Sequence, residues 1–247
     1  ATAGVTVLGP GAIAPARAEE AMLSLSPPTL VTVPTKDFVI KVPEEWRTQL
    51  DSYPGRLLVS LEPSYYSGQR DGNFAGLRVS RIGLGALKRS AKVEPLASDA
   101  GCSNWEEVTV GNTSASAIAL WMMLAGQKSA EAGLGYALDL RTEILDAQVN
   151  TTRLGGSGSE LTWHAVVTKP TGTTNSGRTM PVSDFGFQAT DVGIGSRVSS
   201  GRALLRGGVV LFTVADAPQE RFKPGYAGLQ DGTYLDRVVQ TLEFPPV

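Results

Sequence analysis

Arg202-Ala-Leu-Leu-Arg-Gly-Gly-Val-Val-Leu-Phe-Thr-Val-Ala215 is two apolar or β-branched runs set about a Gly207-Gly208 pair. A tight turn between strands needs positive φ, which glycine adopts at low steric cost, so the stretch reads as a β-hairpin. Downstream, Ala217-Pro-Gln-Glu-Arg-Phe-Lys-Pro-Gly225 cannot continue a strand, because each proline lacks a backbone donor. Asp231 then caps a segment in which Tyr234, Leu235, Val238, Val239 and Leu242 recur at helical spacing. This predicts a closing amphipathic helix that ends at Glu243-Phe244 and packs back on the sheet.

Upstream of the hairpin, Leu140 to Arg153 and Glu160 to Thr168 read as two more strands joined by Gly155-Gly-Ser-Gly-Ser159. Nearer the N-terminus, Phe38 to Val42 and Leu57 to Leu61 read as strands with Asp51-Ser-Tyr-Pro-Gly55 as the turn between them. After the polar loop Ser67 to Asn73 comes Gly76 to Ile82, where Leu77 and Val79 alternate with Arg78 and Arg81, the pattern of a strand wet on one face. Thr113 or Ser114 caps Ala115 to Ala125, which is apolar nearly all round and predicts a core helix clamped on the sheet. A further amphipathic piece spans Ala130 to Leu138 despite Gly133 and Gly135. The expected fold class is α+β, an antiparallel sheet of about six strands flanked by helices, with an extended N-terminal segment.

The prolines of Ser26-Pro-Pro-Thr-Leu-Val-Thr-Val-Pro34 forbid helix and predict an extended course over the surface. Before it, the small apolar run Gly4 to Ala14 and the small-x-small pattern Ala16-Arg17-Ala18 read as the tail of an export signal, with an ordinary flexible Ala/Gly tail as the alternative. That run is too short and too rich in Gly and Pro to span a bilayer, which takes about 20 mostly apolar residues. With 247 residues, one well-packed domain is expected over residues 35–247, preceded by an extension at 1–34. The net charge is −2 and the lysines and arginines are scattered along the chain, which excludes a basic stripe for nucleic acid. The single Cys102 excludes an internal disulfide or a multi-cysteine zinc site and reads as a small, partly buried apolar side chain, with a regulatory thiol as the alternative.

Several short motifs resemble those of the PsbP family of thylakoid-lumen proteins. Val42, Pro43 and Trp46 match the family's opening strand-to-corner pattern. Arg206 to Phe212, Glu220-Arg221-Phe222-Lys223 and Leu242-Glu243-Phe244 match its closing hairpin, connection and helix end. Leu124-Ala125-Gly126-Gln127-Lys128 is similar to the end of its middle helix. The likeness covers Thr35 to Val247 and implies the fold above, a chloroplast thylakoid-lumen location, no enzymatic activity, and attachment to a photosynthetic membrane complex. Photosystem II and its oxygen-evolving centre come first, with photosystem I or NDH-complex assembly as the other destinations of relatives. It also implies weak Ca²⁺ binding, for which no ligand residue can be carried over.

Lys169 to Gly201 is the irregular part, rich in Gly, Ser, Thr and Asn, and longer than the corresponding connection of the family. It reads either as an insertion that touches a partner or as a mobile loop. The partner-binding candidates are Pro27, Pro28, Val31 and Pro34 in the extended segment and Arg178, Phe185 and Phe187 in this insertion. Gly172 to Thr179 comes within one residue of a phosphate-binding loop, but Arg178 stands where lysine is required and Met180-Pro181 prevents the following helix. Gly83-Leu-Gly85 lacks the third glycine of a dinucleotide fingerprint.

The only histidine, His164, lies in a strand whose alternation puts Leu161, Trp163 and Ala165 on one face and Thr162, His164 and Val166 on the other. With no Gly-x-Ser-x-Gly elbow to supply a nucleophile it reads as a structural or surface residue, and a hydrolase built on it is the least favoured of the readings. Asp139, Glu143, Asp146, Asp184 and Asp191 lack the ligand spacing of a calcium loop and read as solvated acids, with weak Ca²⁺ or Mn²⁺ binding by acids gathered in the fold as the alternative. Asn112 and Asn150 fit the glycosylation pattern, which carries no weight in a chloroplast protein. Two functions of different class are therefore expected: docking on a photosynthetic complex, or binding of a small ligand or metal ion without stable docking.

Overall fold

The computed structural model describes residues 29–50, 55–63, 74–90, 97–109, 114–134, 140–151, 159–169, 195–222 and 233–245. Gly207 and Gly208 turn with φ of 57° and 72° between two long strands, β8 (Gly195–Arg206) and β9 (Val209–Pro218). A Cβ on Gly208 would lie 2.5 Å from the carbonyl oxygens of Asp99 and Ala100, so the turn needs glycine for space as well as for φ. Its backbone is tied in as well: the Gly208 N–H donates to Cys102 O at 2.6 Å and its carbonyl accepts from Leu84 N at 2.8 Å.

Around this hairpin run β1 (Leu30–Pro34), β2 (Val39–Pro43), β3 (Arg47–Leu50), β4 (Arg56–Leu61) and β5 (Gly76–Gly83). Helices α1 (Leu84–Ser90), α2 (Trp105–Val108) and α3 (Ala115–Leu134) follow, then β6 (Arg141–Asn150) and β7 (Glu160–Lys169), and α4 (Thr233–Val239) closes the chain. Seven antiparallel strands form one sheet in the order β3-β4-β5-β9-β8-β7-β6, and β1 pairs with β2 in a separate hairpin. The fold is α+β, as expected.

Each face of the sheet is covered. On one, α1, α2 and α3 bury Leu84, Leu87, Trp105, Ile118, Met122 and Met123 against Trp163, Ala203, Phe212 and Val214. On the other, the β1–β2 hairpin and α4 bury Phe38, Ile40, Val42, Trp46, Leu235 and Val238 against Leu58, Leu77, Leu204 and Leu211. Lying between both cores, β9 has every residue from Val210 to Pro218 buried, which is why Val210 to Val214 reads as a near-continuous apolar run rather than an alternation. Burying each large apolar side chain contributes about 1.5–3 kcal/mol.

The structure corrects several expectations. β2 pairs with β1, not with β4; β4 pairs instead with β3, an edge strand whose four exposed residues give no apolar alternation. The segment Leu30–Pro34, expected merely to run extended, is a paired strand, while the seven strands of the main sheet agree with the expected antiparallel sheet of about six. Leu124 to Lys128 does not end a helix, because α3 continues to Leu134 as one element of 20 residues. Gly126 costs roughly 1 kcal/mol of propensity there, offset by packing on β6 and β7. Ala217-Pro218 continues β9 instead of breaking it, and only Gln219–Phe222 turns away. The closing helix stops at Val239, and Glu243 instead bridges to Val39. Both ends of the stretch expected to be irregular are strand, since β7 takes Lys169 and β8 takes Gly195 to Gly201.

Candidate functional site

The strand alternation carries His164 to the face opposite Trp163, which is buried in the core, as the sequence predicts. A bulge at Leu145 then does what alternation alone would not: Ile144 pairs with Ala165 on the core face while Asp146 pairs with His164 on the other. On the far side Ser200 of β8 is His164's cross-strand partner. Above this row, α4 lowers Asp236.

His164 is held on both nitrogens. Nδ1 lies 2.9 and 3.0 Å from the two carboxylate oxygens of Asp146, and Nε2 lies 2.8 Å from Oδ1 of Asp236. Ser200 Oγ donates to the same Oδ1 at 2.5 Å. Two ionised carboxylates on opposite edges both require a donor, so the ring is an imidazolium. The hydrogen bond to Asp236 raises its pKa, partial burial opposes, and the bond to Asp146 raises it again, leaving it at about 9. Burial pushes the Asp236 carboxyl up, but the bonds from His164 and Ser200 outweigh this and hold it below the usual value.

Beneath the row, Arg202 is buried and spans three partners. Its Nε donates to Glu160 at 2.6 Å, and one terminal nitrogen donates to the carbonyls of Gln240 at 2.6 Å and Leu242 at 2.7 Å. A guanidinium satisfying carbonyls that follow a helix complements the negative end of its dipole. Thus β8 fastens α4 and the returning tail, while His164 fastens the helix to β7.

Between α4 and the β6–β7–β8 face lies a cleft of about 420 Å³, floored by Glu160, Ser200 and Gly201 and walled by Asn150, Thr162, His164, Asp236 and Gln240. Gly201 is required by the opposite face, where the Trp163 ring would lie 2.0 Å from a Cβ. The cleft is open: the His164 side chain is 40% and Asp146 54% exposed. Converging acids on the imidazole are therefore present, but in a solvent-exposed setting. As chemistry, the arrangement is a clasp. No lone pair on His164 faces a hydroxyl, and Ser200 gives its proton to a carboxylate, so this is not a nucleophile with its base.

Other candidates scatter. Val31 and Pro34 are exposed on β1, Glu143 is exposed on β6, and Asn150 lines the cleft. Pro27, Pro28, Asp139, Arg178, Asp184, Phe185, Phe187 and Asp191, with the phosphate-loop-like stretch, lie outside the described residues. Among the described residues no group of three or more His, Cys, Asp or Glu is placed to hold a metal ion. No described helix is long and apolar enough to cross a membrane. Cys102 is more deeply buried than expected, at 7% exposure. Burial pushes its thiol pKa up. The sequence reading missed Asp236, Ser200, and the Arg202–Glu160 pair. Asp236 carried no signal in the sequence: next to Arg237 and off the apolar stripe of Leu235, Val238 and Val239, it looks like an ordinary solvated acid.

No family model matches the chain, and no curated protein matches its sequence. Among solved structures, cyanobacterial PsbP from Synechocystis superposes with a TM-score of 0.45 at 12% identity, over 90% of this chain and 96% of that one. The Ran-binding protein Mog1p of Saccharomyces cerevisiae gives 0.41 at 9% identity, over 87% and 95%. LpqN of Mycobacterium tuberculosis, described as involved in cell envelope biogenesis, gives 0.35 at 11%, over 90% and 88%. These three descriptions differ, so no single role attaches to the likeness.

Proposed function

We propose that the chain is a non-catalytic lumenal protein of the thylakoid that docks on a photosynthetic membrane complex, photosystem II before photosystem I or the NDH complex. The observation that carries the non-catalytic part is the state of the only imidazole. Both its nitrogens are engaged by carboxylates, and a ring with a pKa of about 9 is not a base near neutral pH. Support for the destination comes from the PsbP-like motifs, of which Val42, Trp46 and Leu242 are core residues here. Exposed Val31 and Pro34 on β1, with residues 1–28 before them, supply surface for a partner.

The test is a native gel of detergent-solubilised thylakoids with the tagged chain. Comigration with photosystem II is expected, lost on removal of residues 1–28. Comigration with photosystem I or the NDH complex would redirect the proposal, and a free monomer in every lane would refute it. Weak Ca²⁺ binding belongs to the resemblance, and calorimetric titration of Ca²⁺ into the full chain checks it.

A further inference from the structure

We propose that the cleft between α4 and the β6–β7–β8 face recognises a guanidinium group, presented as an arginine side chain by the partner protein on which the chain docks. The proposal deepens the docking reading and rests on it.

Charge is the first argument. Of the charged residues that line the cleft, Glu160 and Asp236 are carboxylates and His164 a cation; with the ion-pair partners Asp146 and Arg202 added, the balance is three carboxylates to two cations, so the site carries a net negative charge and disfavours anions. The second is the hydrogen-bond inventory. Both bonds that Asp236 accepts fall on Oδ1, which leaves Oδ2 for a ligand. Asn150, Thr162 and Gln240 add amide and hydroxyl oxygens along the walls. A ligand entering such a site must bring donors, and a planar guanidinium brings five in a fixed fork.

The third argument is that the site is built. Glu160 and Ser200 on the floor are each 3% exposed. Polar groups at that depth are costly to bury unless partnered, and here Arg202 and Asp236 hold them in place without filling the space above. A volume of about 420 Å³ lies within the size of small-ligand sites, roughly 300–1,000 Å³. A bare divalent ion fits poorly, because both ring nitrogens of His164 already donate to carboxylates.

The probe is N-acetylarginine methylamide, titrated into the ¹⁵N-labelled full chain at about 0.15 M ionic strength, where the Debye length is about 8 Å. Saturable shifts are expected at the amides of Thr162, His164, Asp236 and Gln240, with the uncharged citrulline analogue at least tenfold weaker. Gln240→Lys, on an exposed position, sets a tethered ammonium at the rim and should abolish binding without lowering the melting temperature. Asp236→Asn should weaken binding at least tenfold, and Gln240→Lys keeps the test decisive if that variant unfolds. Equal binding of citrulline, or an unchanged titration in Gln240→Lys, overturns the proposal. The native gel separates the two readings. If wild type and Gln240→Lys comigrate equally with a photosystem, docking stands and the cleft is not its site. If the arginine analogue binds in the cleft but no complex comigrates, guanidinium recognition is retained and the partner assignment is overturned.

Discussion

Removing the charge on His164 should make the stability of the fold independent of pH in a window where the native protein is sensitive. The imidazolium is favoured in the folded state, with its pKa raised from 6.5 to about 9. The clasp therefore contributes fully below pH 6.5 and is lost as pH rises through about 9. At face value that rise corresponds to about 3 kcal/mol. With the ring 40% and Asp146 54% exposed, solvent screening reduces it to roughly 1 kcal/mol. Urea denaturation of wild type at pH 6.5 and 9.5 should show the midpoint falling by about 0.3–1 M, given a urea slope of about 1–3 kcal/mol/M. His164→Gln should begin lower at pH 6.5 and show little further loss. An equal fall in both proteins would refute the assignment of the imidazolium as the joint between α4 and β7.

Other consequences are equally direct. Arg202→Met should cost about 3–5 kcal/mol, because Glu160 is left buried without its cation, and pairing it with Glu160→Gln should recover most of the loss; denaturant melts of the single and double variants test this. Gly201→Ala sets a Cβ 2.0 Å from the Trp163 ring and should destabilise by about 1–3 kcal/mol, visible as a lowered thermal midpoint and altered tryptophan fluorescence. Cys102, buried and with its thiol pKa raised, should react with Ellman's reagent only at the rate of unfolding, and rapid labelling of the native protein would contradict its packing. On acidification, Asp236, whose carboxyl is held low by His164 and Ser200, should lose its contribution below its ordinary value of 3.8, so stability should fall again at the acid end of the same titration.

The sequence exposes parts of this architecture where a residue has a single local reason to be present. Gly207-Gly208 between apolar runs can do little but turn, and the faces of β7 follow from alternation around Trp163 and His164. β3 escapes because Arg47-Thr-Gln-Leu50 is an edge strand exposed on every residue, and its pairing with β4 is a tertiary fact. α3 escapes at its far end because packing on β6 and β7 outweighs the propensity of Gly126 and Gly133. The clasp is harder still. Asp236 lies 72 residues from His164, Ser200 sits in a stretch with no apolar pattern, and Asp146 reaches the ring only through the bulge at Leu145. Arg202 looked like an ordinary charged residue opening a hairpin. Its burial depends on carbonyls of Gln240 and Leu242, which the sequence has no way to aim.

The return of the last residues onto the first hairpin has a consequence for biosynthesis. Val39 and Glu243 exchange two backbone bonds, of 2.9 and 2.8 Å. The Lys41 N–H donates to Thr241 Oγ1 across 200 residues of sequence. A ribosome that has delivered the opening hairpin must still make nearly the whole chain before that hairpin meets its closing contact. Until Leu235, Val238 and Leu242 have been made, Phe38, Ile40 and Trp46 lack the lid that these residues form, and the nascent chain carries an open apolar face for chaperones to hold.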